Sequence, residues 1–489
     1  MRRTAVMTTT VIGLLGALAG TASAATLEVG PGKTYATPCD AIAAAMPGDL
    51  VEVAAGTYTD SCSIGVKGLT LRGVGGQPKI DLSATEHPSG YKGIYVIDAD
   101  DVTLDNLELT GAHISDANGA NGAGIRIEAN GTTVHGCYLH DNQNGILAGP
   151  GASPSKVTIE YSEFSHNGLG NGCNAGGCTH NLYIGHFDEL VFQYNWTHNL
   201  ANDLPDKGHL FKSRASSNKI LYNRITGEGG HDSYALDLPN GGLSIVVGNL
   251  IEKGASGDNF TLLAFAEEGA SNADQRLFVV NNTFVNDAIK GTFINVANGG
   301  TLVAHNNIFM GPGTVSTTGA LSADNFVGDA KLVNAAMFDY HLQAGSPAID
   351  QGVDPGKADA FSLTPTNEYV QPLKGVPRKS DGKLDLGALE VGTDPNGTGG
   401  SSATSTGATS GGTGAGGAST SGNGGATATG ATAGAGGGGD GGGGSSSSSD
   451  AKGGCGCEVA GHQSSGENLA LVGLGLALVA LTRKRRHLR

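Results

Sequence analysis

Aromatic side chains make up 5% of this 489-residue chain, with one tryptophan, and cations are scarce: 29 Lys and Arg stand against 45 Asp and Glu, a net charge of −16. No basic stripe interrupts that excess, which argues against nucleic acid as a partner. The global field also does not draw in a polyanion, so an acidic sugar must be held by local cations or a bridging cation. The shortage of aromatics leaves Trp196 and Tyr183 as candidates for stacking on a sugar face. No long amphipathic helical stripe is present, which argues against a helical domain. The N-terminal apolar run, Val11–Leu18, is too short to span a bilayer. With Arg2 and Arg3 before it and Ala22-Ser23-Ala24 after it, residues 1–24 read as a secretory signal. From residue 393 apolar side chains almost vanish, so 393–454 is expected to be a flexible Gly/Ser/Thr-rich, disordered linker.

What the chain does have is asparagine at a regular interval. Asn195, Asn223, Asn249, Asn282 and Asn307 close the runs LVFQYN, KILYN, SIVVGN, LFVVNN and LVAHNN, 28, 26, 33 and 25 residues apart; Ser162, after VTIEY, lies 33 residues before the first. Repetition at this scale marks a repeat architecture, and the period-two alternation of each run marks strands. Stacked parallel strands present the same turn once per coil. An inward amide there can donate to one neighbouring coil and accept from the other. A second strand set precedes these: GIRIE (124–128), NGILAG (144–149), NLYIG (181–185), HLFKS (209–213), YALDL (234–238) and FTLLAF (260–265), with glycine-rich corners between.

This layout resembles the right-handed parallel β-helix (pectin-lyase-like) superfamily. The resemblance implies an all-β, single-stranded right-handed parallel β-helix over 25–392, closed by an N-terminal capping helix around Asp40–Met46. DYHLQAGSPAIDQG (339–352) and GVPRKSDGKLDLGALE (375–390) resemble the closing segment of secreted β-helix proteins. Export permits disulfides: a Cys39–Cys62 bond would staple the capped end, Cys173 and Cys178 bracket NAGG and could close a tight loop, and Cys137 is expected to be buried alone. A metal site at Cys173 and Cys178 has too few sulfurs. The end of the chain, 455–489, holds Cys455-Gly456-Cys457, a short apolar helix over Leu469–Leu481, and the basic tail RKRRHLR. It resembles a myxobacterial surface-sorting signal, which implies attachment at the cell surface; a plain C-terminal membrane tail is the alternative.

The densest polar cluster spans 180–185, 208–214 and 231–240, with His180, Asn181, Tyr183, His209, Lys212, Arg214, His231, Asp232 and Asp237. Counting eleven residues back from the ladder asparagines aligns Ile184, Lys212 and Leu238, which would send Lys212 into the core. A buried ammonium without a partner is prohibitively costly. This coil therefore shifts by one residue, or Lys212 reaches out at the corner, or it pairs with Asp206 or Asp237. Lyases of the resembled superfamily cleave uronic-acid polysaccharides by β-elimination. That resemblance implies Lys212 as base and Arg214 as carboxylate neutraliser, with His180, Asn181, Tyr183, His209, His231 and Asp237 around an acidic glycan. Asp232 and Asp237, with Glu267-Glu268 one coil on, could hold Ca²⁺. The three histidines have zinc-ligand chemistry, but their strand offsets differ. Two rivals remain: a non-catalytic adhesin or matrix-binding module, and a polygalacturonase-like hydrolase, for which Asp100-Asp101 is the obvious carboxylate pair. Either way the expected partner is polysaccharide, the protein a monomer, and the membrane is met through the C-terminal signal alone.

Overall fold

The computed structural model describes residues 23–84, 88–90, 92–149, 153–168, 173–174, 177–201, 208–379 and 381–393. The signal, linker and sorting segments therefore lie outside the described residues, apart from the last two residues of the first and residue 393. Among the described residues no helix is long and apolar enough to cross a membrane.

Three parallel sheets of 11, 10 and 11 strands run the length of a right-handed parallel β-helix. Each coil adds one strand to each sheet; Leu182–Ile184, Glu189–Gln193 and Trp196–His198 make up one such turn. We call these the second, first and third sheets respectively, the first being the one that begins with Thr26–Val29. Inward Leu, Ile, Val and Phe from all three fill the interior, with Phe164, Phe192 and Phe211 in ring contact on successive coils.

The turn from the first sheet to the third takes two residues. The leading one sits in the left-handed region: Tyr194 (φ 58°), Tyr222 (55°), Gly248 (70°), Asn281 (49°) and Asn306 (58°). Glycine and asparagine adopt this conformation readily and tyrosine does not. The tyrosines stack across coils instead, at 4.9 Å for Tyr161–Tyr194 and 5.5 Å for Tyr194–Tyr222, which offsets part of that strain.

The second turn residue is the ladder asparagine. The backbone N–H and Nδ2 of Asn195 both donate to Oδ1 of Asn223, and the same pair of bonds links Asn223 to Asn249, Asn249 to Asn282, and Asn282 to Asn307, all at 2.9–3.1 Å. Each Nδ2 also donates back to a carbonyl, such as Phe192 O from Asn223, so the buried amide is fully matched. Asn325 extends the ladder at one end; at the other, Ser162 takes the rung below Asn195 and Cys137 N donates to it. Cys137 is an unpaired buried thiol whose pKa burial pushes up to about 12.

The ends follow from the same packing need. A helix over Pro38–Ala44, capped by Thr37, packs Pro38, Ala41 and Ile42 against the first coils, and Cys39 is bonded to Cys62 in the second sheet's first strand. Described residues between 330 and 389 turn back along the outside. Leu332, Tyr340, Tyr369 and Leu386 pack with Leu250, Val285 and Ile308 of the third sheet, while Ala358 and Leu363 cover Tyr194, Tyr222 and Phe278 of the first.

Candidate functional site

Strand pairing fixes which side chains stand on the outer side of the second sheet along its middle coils, where they are buried. Leu147 pairs with Tyr183, Tyr183 with Lys212, and Lys212 with Asp237, one above another on adjacent coils. Ile184 is matched with Ser213, so the alignment of Ile184, Lys212 and Leu238 is corrected by one residue. The reason is coil length: Tyr183 and Asp237 each lie twelve residues before their ladder asparagine (195 − 183 and 249 − 237), and Lys212 eleven (223 − 212). Lys212 is therefore an outward group, and it is also internally paired.

That pairing is dense. Lys212 Nζ lies 3.2 Å from Asp237 Oδ2 and 2.8 Å from Glu268 Oε1. Arg214 takes the other oxygen of Glu268, donates to Asn240, and donates from Nε to the Tyr183 hydroxyl at 2.8 Å. One carboxylate is thus held between an ammonium and a guanidinium. Lys212 is fully buried. Desolvation alone would lower its pKa, but Asp237 and Glu268 outweigh that and hold it above the ordinary lysine value. Burial, opposed by Lys212 and reinforced by Glu268, pushes the Asp237 carboxyl up to about 6. Burial works against ionisation of Glu268 as well, yet Lys212 and Arg214 keep its pKa below the usual glutamate range.

Beside this row runs a second outer ladder. Asn144 Oδ1 accepts from His180 N at 2.9 Å, His180 Nδ1 from His209 N at 3.0 Å, and His209 Nδ1 from Tyr234 N at 3.2 Å. The His180 and His209 rings stack at 4.8 Å. Burial, together with neighbouring charge including that of Lys212, holds both imidazoles well below the ordinary histidine pKa, so both are neutral. A neutral imidazole that accepts at Nδ1 carries its proton on Nε2. His209 Nε2–H then faces Asp237 Oδ2 at 3.5 Å.

The remaining expected site residues fall elsewhere. Asn181 is an inner rung of a shorter ladder, accepting from Asn167 and donating to Thr197, and its amide is engaged in the fold. His231 is exposed, its ring 3.6 Å from Asp258, and does not join His180 and His209. Asp232 forms a wholly buried pair with Lys253 at 2.7 Å. With Asp237 committed to Lys212, these two aspartates do not converge on a Ca²⁺ position, and among the described residues no group of three His, Cys, Asp or Glu could hold a metal. Trp196 does point outward but is covered: it stacks on His198 at 3.7 Å, under Arg224 and the C-terminal segment. Asp100 and Asp101 are turn groups, Asp100 accepting from Asn130 N and Asp101 lying 3.4 Å from exposed Lys67. Asp206 lies outside the described residues. Cys173 and Cys178 are partners in a short antiparallel ladder; their side-chain bonding lies outside the described residues.

Two members of the face were not anticipated. Arg126 occupies the same outward row as Tyr183, matched through Leu147, and Asn144 begins the outer ladder. The sequence signal for Arg126 was a lone cation inside GIRIE, at the position of a repeat where the next coil has leucine.

A family model described as "Right handed beta helix region" matches residues 59–251. No curated protein matches the chain in sequence. Among solved structures, pectate lyase Pel9A is similar with a TM-score of 0.54 and 15% identity, over 75% of this chain and 96% of that one. A rice weevil pectin methyl esterase is also similar, at TM-score 0.32 and 15% identity over 63% and 88%. At 15% identity the likeness to Pel9A is one of fold alone. The coil geometry, the family model over residues 59–251 and the likeness to Pel9A agree on one fold, a right-handed parallel β-helix.

Proposed function

We propose that this protein is exported, held at the cell surface by its C-terminal segment, and acts on acidic polysaccharide through the Lys212–Arg214 face as a β-eliminating lyase. One observation carries the substrate class: Lys212 and Arg214 bind the two oxygens of a single carboxylate, that of Glu268. A uronate carboxylate offers the same two acceptors, and planar guanidinium with ammonium is suited to it. Exchange of Glu268 for a sugar carboxylate would place both cations where the enolate charge of the elimination develops.

The raised pKa of Lys212 suits a charge neutraliser and not a base. In this reading the proton acceptor is Asp237, whose pKa of about 6 lies near a neutral working pH. It takes the proton α to the sugar carboxylate, the C=C bond forms, and the glycosidic oxygen leaves. The full burial of Lys212 favours a second reading, a glycan-binding module that uses the same clamp without turnover.

Purified protein incubated with pectate, alginate, glucuronan and glycosaminoglycans separates these. Ultraviolet absorbance of an unsaturated product, lost in Asp237→Asn while binding persists, supports the lyase with Asp237 as base. Binding without product leaves the module. Product formation that survives Lys212→Met removes this site.

A further inference from the structure

Along the outer ladder the acceptors are all filled, but the donors are not. His209 Nε2 has Asp237. His180 Nε2 and Asn144 Nδ2, both fully buried, have no hydrogen-bond partner, and neither has Arg126 Nε, although Glu128 lies 3.3 Å from it. Buried donors are normally matched, and these three share one face. Asn144 and His180 are consecutive rungs, His180 lies against the Tyr183 ring at 5.7 Å, and Arg126 stands in the row that leads through Leu147 to Tyr183. The tautomer of His180 is set by the His209 backbone N–H, so its unfilled position is a donor. The Asn144 carbonyl is likewise occupied, so the group it leaves unmatched is its NH₂.

The contrast with the Lys212 end is chemical. There, carboxylates of the protein itself occupy every cation; here, His180 Nε2 and Asn144 Nδ2 face no acceptor, and Arg126 Nε has only Glu128 at 3.3 Å, too poorly aligned for a hydrogen bond. We propose that Arg126, Asn144 and His180 form a second subsite, which takes the carboxylate and adjoining oxygens of a further uronate residue on the chain held at Lys212 and Arg214. This rests on the acidic-polysaccharide reading above. Arg126 stands three strands from Lys212, roughly 14 Å at the spacing of neighbouring strands, so the subsite is met by an oligosaccharide and not by a single sugar.

The test is calorimetric titration of the full-length protein with uronate di-, tri- and tetrasaccharides from polygalacturonate, alginate and glucuronan, alongside Arg126→Met and Lys212→Met. Support is a loss in Arg126→Met that grows with oligosaccharide length, exceeding tenfold for the tetrasaccharide, against a loss at every length in Lys212→Met. Tetrasaccharide affinity unchanged in folded Arg126→Met overturns the subsite and leaves the polysaccharide reading standing. No binding of any uronate by the wild-type protein overturns both. Should Arg126→Met not fold, ¹⁵N-histidine spectra of the wild type decide. The His180 Nε2–H resonance is expected to shift on addition of tetrasaccharide, and an unmoved resonance beside confirmed binding overturns the subsite.

Discussion

Two hydrogen-bonded ladders climb this molecule, one inside the coil and one outside, and they end differently. The inner ladder of Asn195, Asn223, Asn249, Asn282 and Asn307 uses an amide whose nitrogen donates twice and whose oxygen accepts twice, or once at Asn195 beside Ser162, so every rung is closed by protein atoms. The outer ladder of Asn144, His180 and His209 repeats half of the device: each side chain accepts from the next coil's backbone N–H, and the donors of Asn144 and His180 are left without a partner while that of His209 faces Asp237. The same physical need, to match a backbone donor at each coil, is met in both places. What differs is whether the leftover group is matched within the fold. A rung closed on both sides contributes stability; a rung open on one side is available to a ligand.

The largest effect expected from this comparison is on the inner side. Asn223→Leu removes the acceptor of two buried Asn195 donors and the donor to Phe192 O, a loss of about 3–9 kcal/mol at about 1–3 kcal/mol per stranded group. Urea unfolding measures it. A smaller loss than that of any outer rung would break the distinction.

A buried group with too few partners on another face sharpens it. Glu252 lies buried on the third sheet, and burial, with Asp232, Asp287 and Glu228 nearby, pushes its pKa up to about 8 despite a bond from Glu228 N. The folded value lies above the unfolded one, near 4.5. Its contribution to stability is therefore fully present below about pH 4.5 and is lost as pH rises through 8. Stability is expected to fall across that window by up to about 1.4 kcal/mol per pH unit. In Glu252→Gln this component disappears, which urea midpoints at pH 5, 6.5 and 8 would show.

On the outer ladder, His180→Leu strands the His209 backbone N–H but also removes an unmatched Nε2–H. Its expected cost is about 1 kcal/mol or less, with the effect falling on glycan affinity. A cost equal to that of Asn223→Leu would mean that both ladders serve the fold alike.

Much of this was legible in the sequence because the inner rungs are one residue type behind recognisable strands; the spacing from Asn195 to Asn307 leads directly to the coil. Asn325 was missed because its strand, Phe326–Val327, is two residues long and carries no alternation. The charged face was harder. Counting back from an asparagine assumes a constant path, and the coil through Lys212 is one residue short, which exchanges inward for outward positions. Asn181, expected around the glycan, is an inner rung, because residue type does not tell an inner rung from an outer one. Arg126 and Asn144 stood in coils whose neighbours are Leu147 and Ala123, so no polar cluster in the sequence pointed to them. Trp196 was placed correctly on the outside, but the cover over it comes from residues more than 140 positions further along the chain, including Phe338. Local pattern carries no information about that return.

The smallest structural change expected bears most directly on the clamp. Glu268→Gln keeps the shape of the side chain and removes the charge that Lys212 and Arg214 share. Its carboxylate is 17% exposed while Lys212 is fully buried, so Glu268 is the partner nearest to solvent and the one a ligand can displace. Asp237 still balances Lys212 in the variant, so the unfolding midpoint is expected to move little. A hydrogen bond to a charged group is worth about 1.5–3 kcal/mol, so relieving this internal competition should tighten uronate binding by roughly tenfold to a hundredfold. Calorimetry on the variant would read that gain. Weaker binding would show instead that Glu268 positions the two cations, and that the ligand approaches them without taking its place.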